Sequence, residues 1–268
     1  MIIIGFDSEW VYLPEEGRNH ILSYQFTVLT PNAECSGIVF TDGPDLKHRW
    51  KLADLFGYAI QVARDEKVIG REWPKEICAV AHFTRADLAA FRDYKTLRTE
   101  FDNLRGSFST IIKPYKCTFY DRAKHARGLR VRLVDTMAIA PGGTSLAAVG
   151  DIHGFPKISL PPGAIERMDL LLDHDPDLFK SYAIRDAEIA ARHAHRMRQF
   201  CEEEGLGDEV PLTIGSLATK FLSSLWDENE IDKASVLGTE EITQSVWTGK
   251  RYRKTTKTIF QTLVSEYE

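Results

Sequence analysis

The sequence predicts a mixed α/β fold, a central sheet flanked by helices, on three observations. Short apolar runs come first and close together, helix-like and strand-like segments then alternate, and one long helical pattern closes the main part. The opening run IIIGF is a buried first strand ending at Asp7. HILSYQFTVLT, with partial alternation, is a second strand and SGIVF a third, joined by loops that carry Pro14, Gly17, Pro31 and Asn32. Three such runs with short connections make an antiparallel meander. From Asp45 to about Glu66, Leu46, Trp50, Ala53, Leu55, Phe56, Ile60 and Ala63 recur at helical spacing and form a crossover helix. ICAVAHF is a short buried strand, ADLAAF starts a helix, and VRLVDT is a further buried strand before the turn APGGT. SLAAVGDIHG is a short helix closed by glycine. ERMDLLLDHD then leads into a long helix from about Pro176 to Glu203. After Gly205 the pattern changes: VPLTIGSLATKFLSSLW is an amphipathic helix with Thr213 at its cap, and the last forty residues are charged and weakly patterned. The expected organisation is a main domain over residues 1–204 and a C-terminal helical, basic appendage over 205–268.

Composition bounds the rest. The chain has 268 residues, 43% hydrophobic and 27% charged, enough for one large domain with a sizeable core. A net charge of −5 is acidic for a protein that grips a polyanion. A carboxylate site that bound cations neutralise accounts for part of it, so the local distribution of Lys and Arg decides. Cys35, Cys78, Cys117 and Cys201 form no CxxC or Cys/His cluster, which points to neither a zinc site nor a disulfide framework. With no apolar stretch of membrane-spanning length, the expectation is a cytoplasmic protein.

Four acids and one tyrosine carry the chemistry. Asp7 and Glu9 end the first strand two residues apart, so both project from one face. Tyr182 and Asp186 lie four apart on the long helix and share one of its faces. Asp87 opens the helix after the ICAVAHF strand. Hard oxygen ligands of this kind suit divalent cations, and two such ions about 3.5–4 Å apart hydrolyse phosphodiesters. Asp7 can bridge both ions, Glu9 and Asp186 can hold the ion that carries the attacking water, and Asp87 can serve the second. The Tyr182 hydroxyl, with an ordinary pKa of about 10, orients that water rather than deprotonating it. Mg2+ and Mn2+ both accept such oxygen ligands.

GFDSEW, AHFTRADLAAF and YAIRDAEIA resemble, in order and spacing, the three exonuclease motifs of the DEDD, DnaQ-like 3'-5' exonucleases. The likeness covers roughly residues 1–200. Tyr182 with Asp186 resembles the tyrosine subclass (DEDDy), and Ser181 stands where the histidine subclass would need its base. The resemblance implies an RNase H-like fold, a two-metal centre and 3'-5' polarity. VDTMAIAPGGTSLAAVGDIHGFPKISL and VPLTIGSLATKF are similar to sequences around the proofreading exonuclease of organellar and viral family B DNA polymerases, whereas polymerase signatures are missing. The expected activity is removal of nucleotides from the 3' end of single-stranded or frayed DNA. The rivals are an RNA 3'-end processing exonuclease, an idle nucleic-acid-binding module, and a proofreading fragment of a larger polymerase. A polymerase, or another replication, repair or defence protein, is the partner this implies.

Where the family's second motif has asparagine after the histidine, this chain has Phe83, which either stacks on a terminal base or fills the core. Basic residues cluster at Arg122 to Arg132, with Arg127 and Arg130, and at Lys250 to Lys257, with Lys250, Arg251 and Arg253. Each cluster is either a phosphate track or a solvated loop. His193 and His195, two apart on a helix, do not share a face, so they are read as solvated or packing residues. His82 is read as packing against its strand. Asp135, followed by Thr136, is read as a turn cap and left out of the metal set.

Overall fold

The computed structural model describes residues 1–247 and 251–260. In chain order the elements are β1 (Ile3–Leu13), β2 (Arg18–Leu29), β3 (Glu34–Phe40), α1 (Leu52–Asp65), β4 (Glu76–Ala81), α2 (Thr84–Ala89) and α3 (Tyr94–Glu100). There follow β5 (Asp102–Leu104), β6 (Ser107–Ser109), β7 (Tyr115–Tyr120), β8 (Ala126–Asp135), α4 (Thr136–Ile139), α5 (Leu146–Ile152), α6 (Met168–His174) and α7 (Pro176–Glu203). The last are α8 (Ile214–Glu228), α9 (Lys233–Leu237), β9 (Thr239–Trp247) and β10 (Tyr252–Phe260). The chain divides into two compact units, Met1–Gly215 and a smaller one beginning at Ser216. No described helix is long and apolar enough to cross a membrane.

A six-stranded mixed sheet in the order β3-β2-β1-β4-β8-β7 organises the first unit. The meander β1–β2–β3 is antiparallel, β1, β4 and β8 are parallel, and β7 closes the edge antiparallel to β8. Alternation along β1 sorts its side chains to two faces. Ile4 and Phe6 join the core that α1 covers with Leu52, Leu55, Phe56 and Ile60. Ile3 faces the other way, into a core with Cys78, Val80 and Val134 that α7 covers with Ala190, Ala191 and Ala194. Asp7 and Glu9 have the parity of Ile3 and therefore lie on the α7 side.

Small residues let α7 come close. A Cβ on Gly5 would stand 2.2 Å from the Ala187 carbonyl oxygen and 2.9 Å from Ala191 Cβ, so the helix backbone rests on the strand. Pro176 opens the helix in the position where its missing N–H costs nothing, and the Asp175 carboxylate accepts the Leu178 N–H at 3.0 Å.

The meander, crossover helix, two inner strands and long helix lie where the sequence pattern predicts them, except that β1 does not end at Asp7 and Glu9 but runs on to Leu13, because its pairing with β2 continues past the apolar run. The structure adds β5, β6 and β7, which sequence periodicity did not reveal. It also places an antiparallel pair, β9–β10, in the segment expected to be helical or weakly patterned. Thr243, Thr255, Thr256 and Thr258 are β-branched and suit strands, but their polarity hides them from a hydrophobic pattern.

Candidate active site

In the middle of β1, ligand atoms of Asp7, Glu9 and, from α7, Asp186 all lie within 4.8 Å of one another. The strand supplies the first two and α7 the third, one turn beyond Tyr182. Asp7 and Glu9 are half-buried, whereas Asp186 and Tyr182 are buried. Asp87 approaches from α2: its Oδ1 accepts from Ser8 Oγ at 3.1 Å, and it lies within hydrogen-bonding range of Asp7. All five residues expected at the catalytic centre thus converge.

Three neighbours that the sequence reading did not single out shape the cluster. Gln25, fully buried on β2 and directly opposite Asp7 in register, donates Nε2–H to Asp7 Oδ2 at 2.5 Å. Ser8 points from the other face of β1 to hold Asp87. Lys157, from the irregular segment after α5, sets Nζ 2.6 Å from Asp186 Oδ2 and 4.8 Å from the centroid of the Tyr182 ring. Its hydrogen-bonding reach extends to the Tyr182 hydroxyl. Nothing local in FPKISL marks a lysine for an acidic centre; only the position of α7 reveals it.

The electrostatics are those of a donor set that lacks countercharge. Burial, followed by the Asp7 charge, raises Asp186 to about 7. Burial, with the Asp7 and Asp186 charges, holds Glu9 well above the ordinary carboxylate range, and burial with the Asp7 charge does the same to Asp87. Asp7 is raised by burial against the pull of Gln25 and Lys157. Burial opposes the Lys157 charge, yet the Asp186 carboxylate more than offsets it and raises the pKa of the ammonium. One lysine among four crowded carboxylates leaves an excess of negative charge when they ionise. Asp186 Oδ1 is moreover buried without a hydrogen-bond partner. Hard oxygen donors with an orphaned, buried acceptor fit divalent cations.

These shifts have a measurable sign. Asp186 binds its proton at about 7 in the folded chain, whereas an unfolded aspartate does so near 3.8, so between those values the folded state holds more protons. Stability without cations should therefore fall as pH rises through that window. Thermal midpoints in EDTA are expected to be lower at about pH 8 than at about pH 5, and Mn2+ should raise the midpoint more at the higher pH.

Other expected residues lie elsewhere or do other work. Phe83 is 43% exposed, hence not a core aromatic, and its backbone is left-handed (φ 70°, ψ 60°). Arg127 makes two bonds to Asp121, at 2.9 and 2.8 Å, and Arg130 pairs with Glu76 at 3.4 Å. Both arginines are thus engaged by carboxylates that are not among the five expected catalytic residues. Arg253 lies on β10, beside the paired rings of Trp247 and Tyr252, and Arg251 immediately precedes that strand. Lys250 lies outside the described residues. His193 is buried and hydrogen-bonded to His153 at 2.9 Å, the packing role expected of it.

No protein-family profile matches the chain. It is similar to a protein of Escherichia coli described as primer-independent DNA polymerase PolB, with 36% identity over 265 residues. The likeness covers 91% of this chain and 30% of that polymerase, so the chain spans less than a third of the length of the relative it matches.

Proposed function

We propose that this chain is a metal-dependent 3'-5' exonuclease of the DEDD, DnaQ-like tyrosine subclass, with an RNase H-like domain over residues 1–204 and an appendage over 205–268. The observation that carries the reading is the clustering of the Asp7, Glu9 and Asp186 ligand atoms within 4.8 Å of one another, with Asp87 against Asp7 and Tyr182 one turn from Asp186. Similarity to a DNA polymerase favours DNA over RNA as the substrate, and the threefold greater length of that relative supports a proofreading role beside a polymerase.

In the reaction, a water oxygen attacks the terminal phosphorus and the bond from phosphorus to the 3' oxygen breaks. A 5'-mononucleotide leaves and the shortened strand keeps a 3' hydroxyl. Divalent cations, when bound, supply an activated water and neutralise charge on the phosphoryl and leaving oxygens. Asp7, Glu9, Asp87 and Asp186 are the residues that would hold them. Gln25 keeps the Asp7 carboxylate from rotating. Lys157 fixes Asp186 and packs on the Tyr182 ring, adding a permanent positive charge where phosphate oxygens arrive.

Tyr182 presents its hydroxyl to the water. Burial and the Asp186 charge raise its pKa to about 12, which disfavours a proton-abstracting role at neutral pH and leaves orientation. Tyr182→Phe is accordingly expected to lower kcat by roughly 10- to 100-fold without a matching change in KM, measured by single-turnover cleavage.

Two concavities offer room for the strand. One, about 910 Å3, begins at Glu9 and is lined by Trp10, Tyr12, Leu13, Ile165 and Arg167. The other, about 230 Å3, is lined by Phe83, Leu104, Arg105, Met137, Ala140 and Ile214. Exposed Trp10, Tyr12 and Phe83 can stack bases without sequence preference. Arg251 and Arg253, in the smaller unit, are proposed as phosphate contacts on their charge alone.

The test is degradation of single-stranded DNA labelled at the 3' or the 5' end with Mg2+ or Mn2+. Release of the 3' label as mononucleotide, stopped by EDTA, is expected, and faster loss of an RNA strand of the same sequence would move the substrate to RNA. Intact DNA and RNA under every metal condition would contradict the proposal.

A further inference from the structure

We propose, on the basis of the nuclease reading above, that Asp135 is a positioning residue whose carboxylate fixes the start of α2 and so sets the pose of Asp87. Asp135 ends β8, opposite Ala81 at the end of β4, and is completely buried. The chain leaves β4 and turns into α2 through Phe83, whose left-handed backbone is costly for a bulky side chain and persists only where surrounding bonds enforce it. Asp135 enforces it. Its Oδ1 accepts the Phe83 N–H at 2.9 Å and its Oδ2 accepts the Thr84 N–H at 2.9 Å.

The same carboxylate also gathers the elements around that turn. Oδ1 takes the Met137 N–H at the start of α4, at 2.9 Å, and Oδ2 takes the Ser107 hydroxyl from β6. These four donors, with the Thr84 hydroxyl also 3.1 Å from Oδ2, use the acceptor capacity of the group, so it has nothing to offer a cation. Asp186, with its orphaned Oδ1, differs in that respect. Thr84 adds a second tie across the junction: its hydroxyl reaches the Phe108 carbonyl at 2.7 Å and receives the Phe108 N–H at 3.0 Å.

The consequence falls on Asp87 because α2 is only six residues long and cannot hold its own direction. Asp87 sits one turn after Thr84, buried, with Ser8 as its side-chain partner on β1. A few degrees of rotation at the Phe83 turn would carry its carboxylate away from Asp7. Negative charge at the start of a helix, with its N–H groups pointing at the carboxylate, favours the observed arrangement further.

Asp135→Asn preserves shape but turns an amide NH2 toward donors. Hydrogen exchange of the full chain without DNA, with and without Mg2+, should show residues 83–89 exchanging at least about tenfold faster in the variant, while α7 is unchanged. Slowing of α2 exchange by Mg2+ should be lost as well. In the label-release assay kcat should fall roughly 10- to 100-fold with KM little altered. Ile60→Val, on the buried face of α1, serves as the control for general loss of stability and should change neither readout. Exchange at 83–89 no faster than in that control, or a kcat no lower, would overturn the proposal. A native chain that releases no label would instead sink the nuclease reading, and the exchange data would still decide whether Asp135 holds the helix of Asp87.

Discussion

Asp7→Asn is expected to abolish exonuclease turnover, by a factor of about a thousand or more, while the chain stays folded. Asp7 is the carboxylate that the other groups share: its ligand atom lies within 4.8 Å of those of Glu9 and Asp186, Gln25 binds it at 2.5 Å, and Asp87 is within hydrogen-bonding range. Cation stabilisation of charge in phosphoryl transfer is worth several kcal/mol, and each ~1.4 kcal/mol is tenfold in rate, which gives three decades or more. Stability should respond in the opposite sense. Removing one of four mutually repelling carboxylates relieves the interactions that raise Glu9, Asp87 and Asp186, so the thermal midpoint in EDTA should hold or rise. Equilibrium binding of single-stranded DNA should persist. A variant that loses turnover only in proportion to its folded fraction would contradict this account of Asp7.

Gly5→Val is expected to be damaging for a different reason. The new Cβ alone would stand 2.2 Å from a backbone carbonyl of α7, and a carbonyl cannot rotate away as a flexible side chain can. Overpacking of this kind costs roughly 1–3 kcal/mol or more, which for a chain of this size lowers the midpoint by about 2–4 °C per kcal/mol. Relief requires α7 to move off β1, and α7 carries Tyr182 and Asp186. Activity per folded molecule should therefore fall as well, measured by label release at a temperature where the variant is folded by circular dichroism. Gly128→Ala is the matching control, since a Cβ there meets nothing within 4 Å.

These two substitutions mark what the sequence reveals and what it hides. Asp7 with Glu9, and Tyr182 with Asp186, were legible because each pair obeys the period of its own element, two on a strand and nearly four on a helix. That the two pairs meet depends on Gly5, a residue whose role exists only when the helix lies on it. Gln25 and Ser8 are legible only from register, and Lys157 only from tertiary placement. Asp135 bonds residues about fifty positions earlier, which no local pattern encodes. The missed strands follow the same logic: β5 and β6 are three residues each, β7 buries only Phe119 among half-buried and exposed residues, and β9–β10 is threonine-rich, so none forms an apolar run.

Whether the acidic cluster acts on the scissile phosphate through divalent cations is decided by cleavage of a strand whose terminal linkage carries sulfur in place of a nonbridging oxygen. Mg2+ is a hard cation that binds sulfur poorly, whereas Mn2+ tolerates it better. For such action, slow cleavage of one sulfur diastereomer with Mg2+ and recovery with Mn2+, both lost in Asp7→Asn, are expected. Equal rates for oxygen and sulfur linkages with either metal would contradict it.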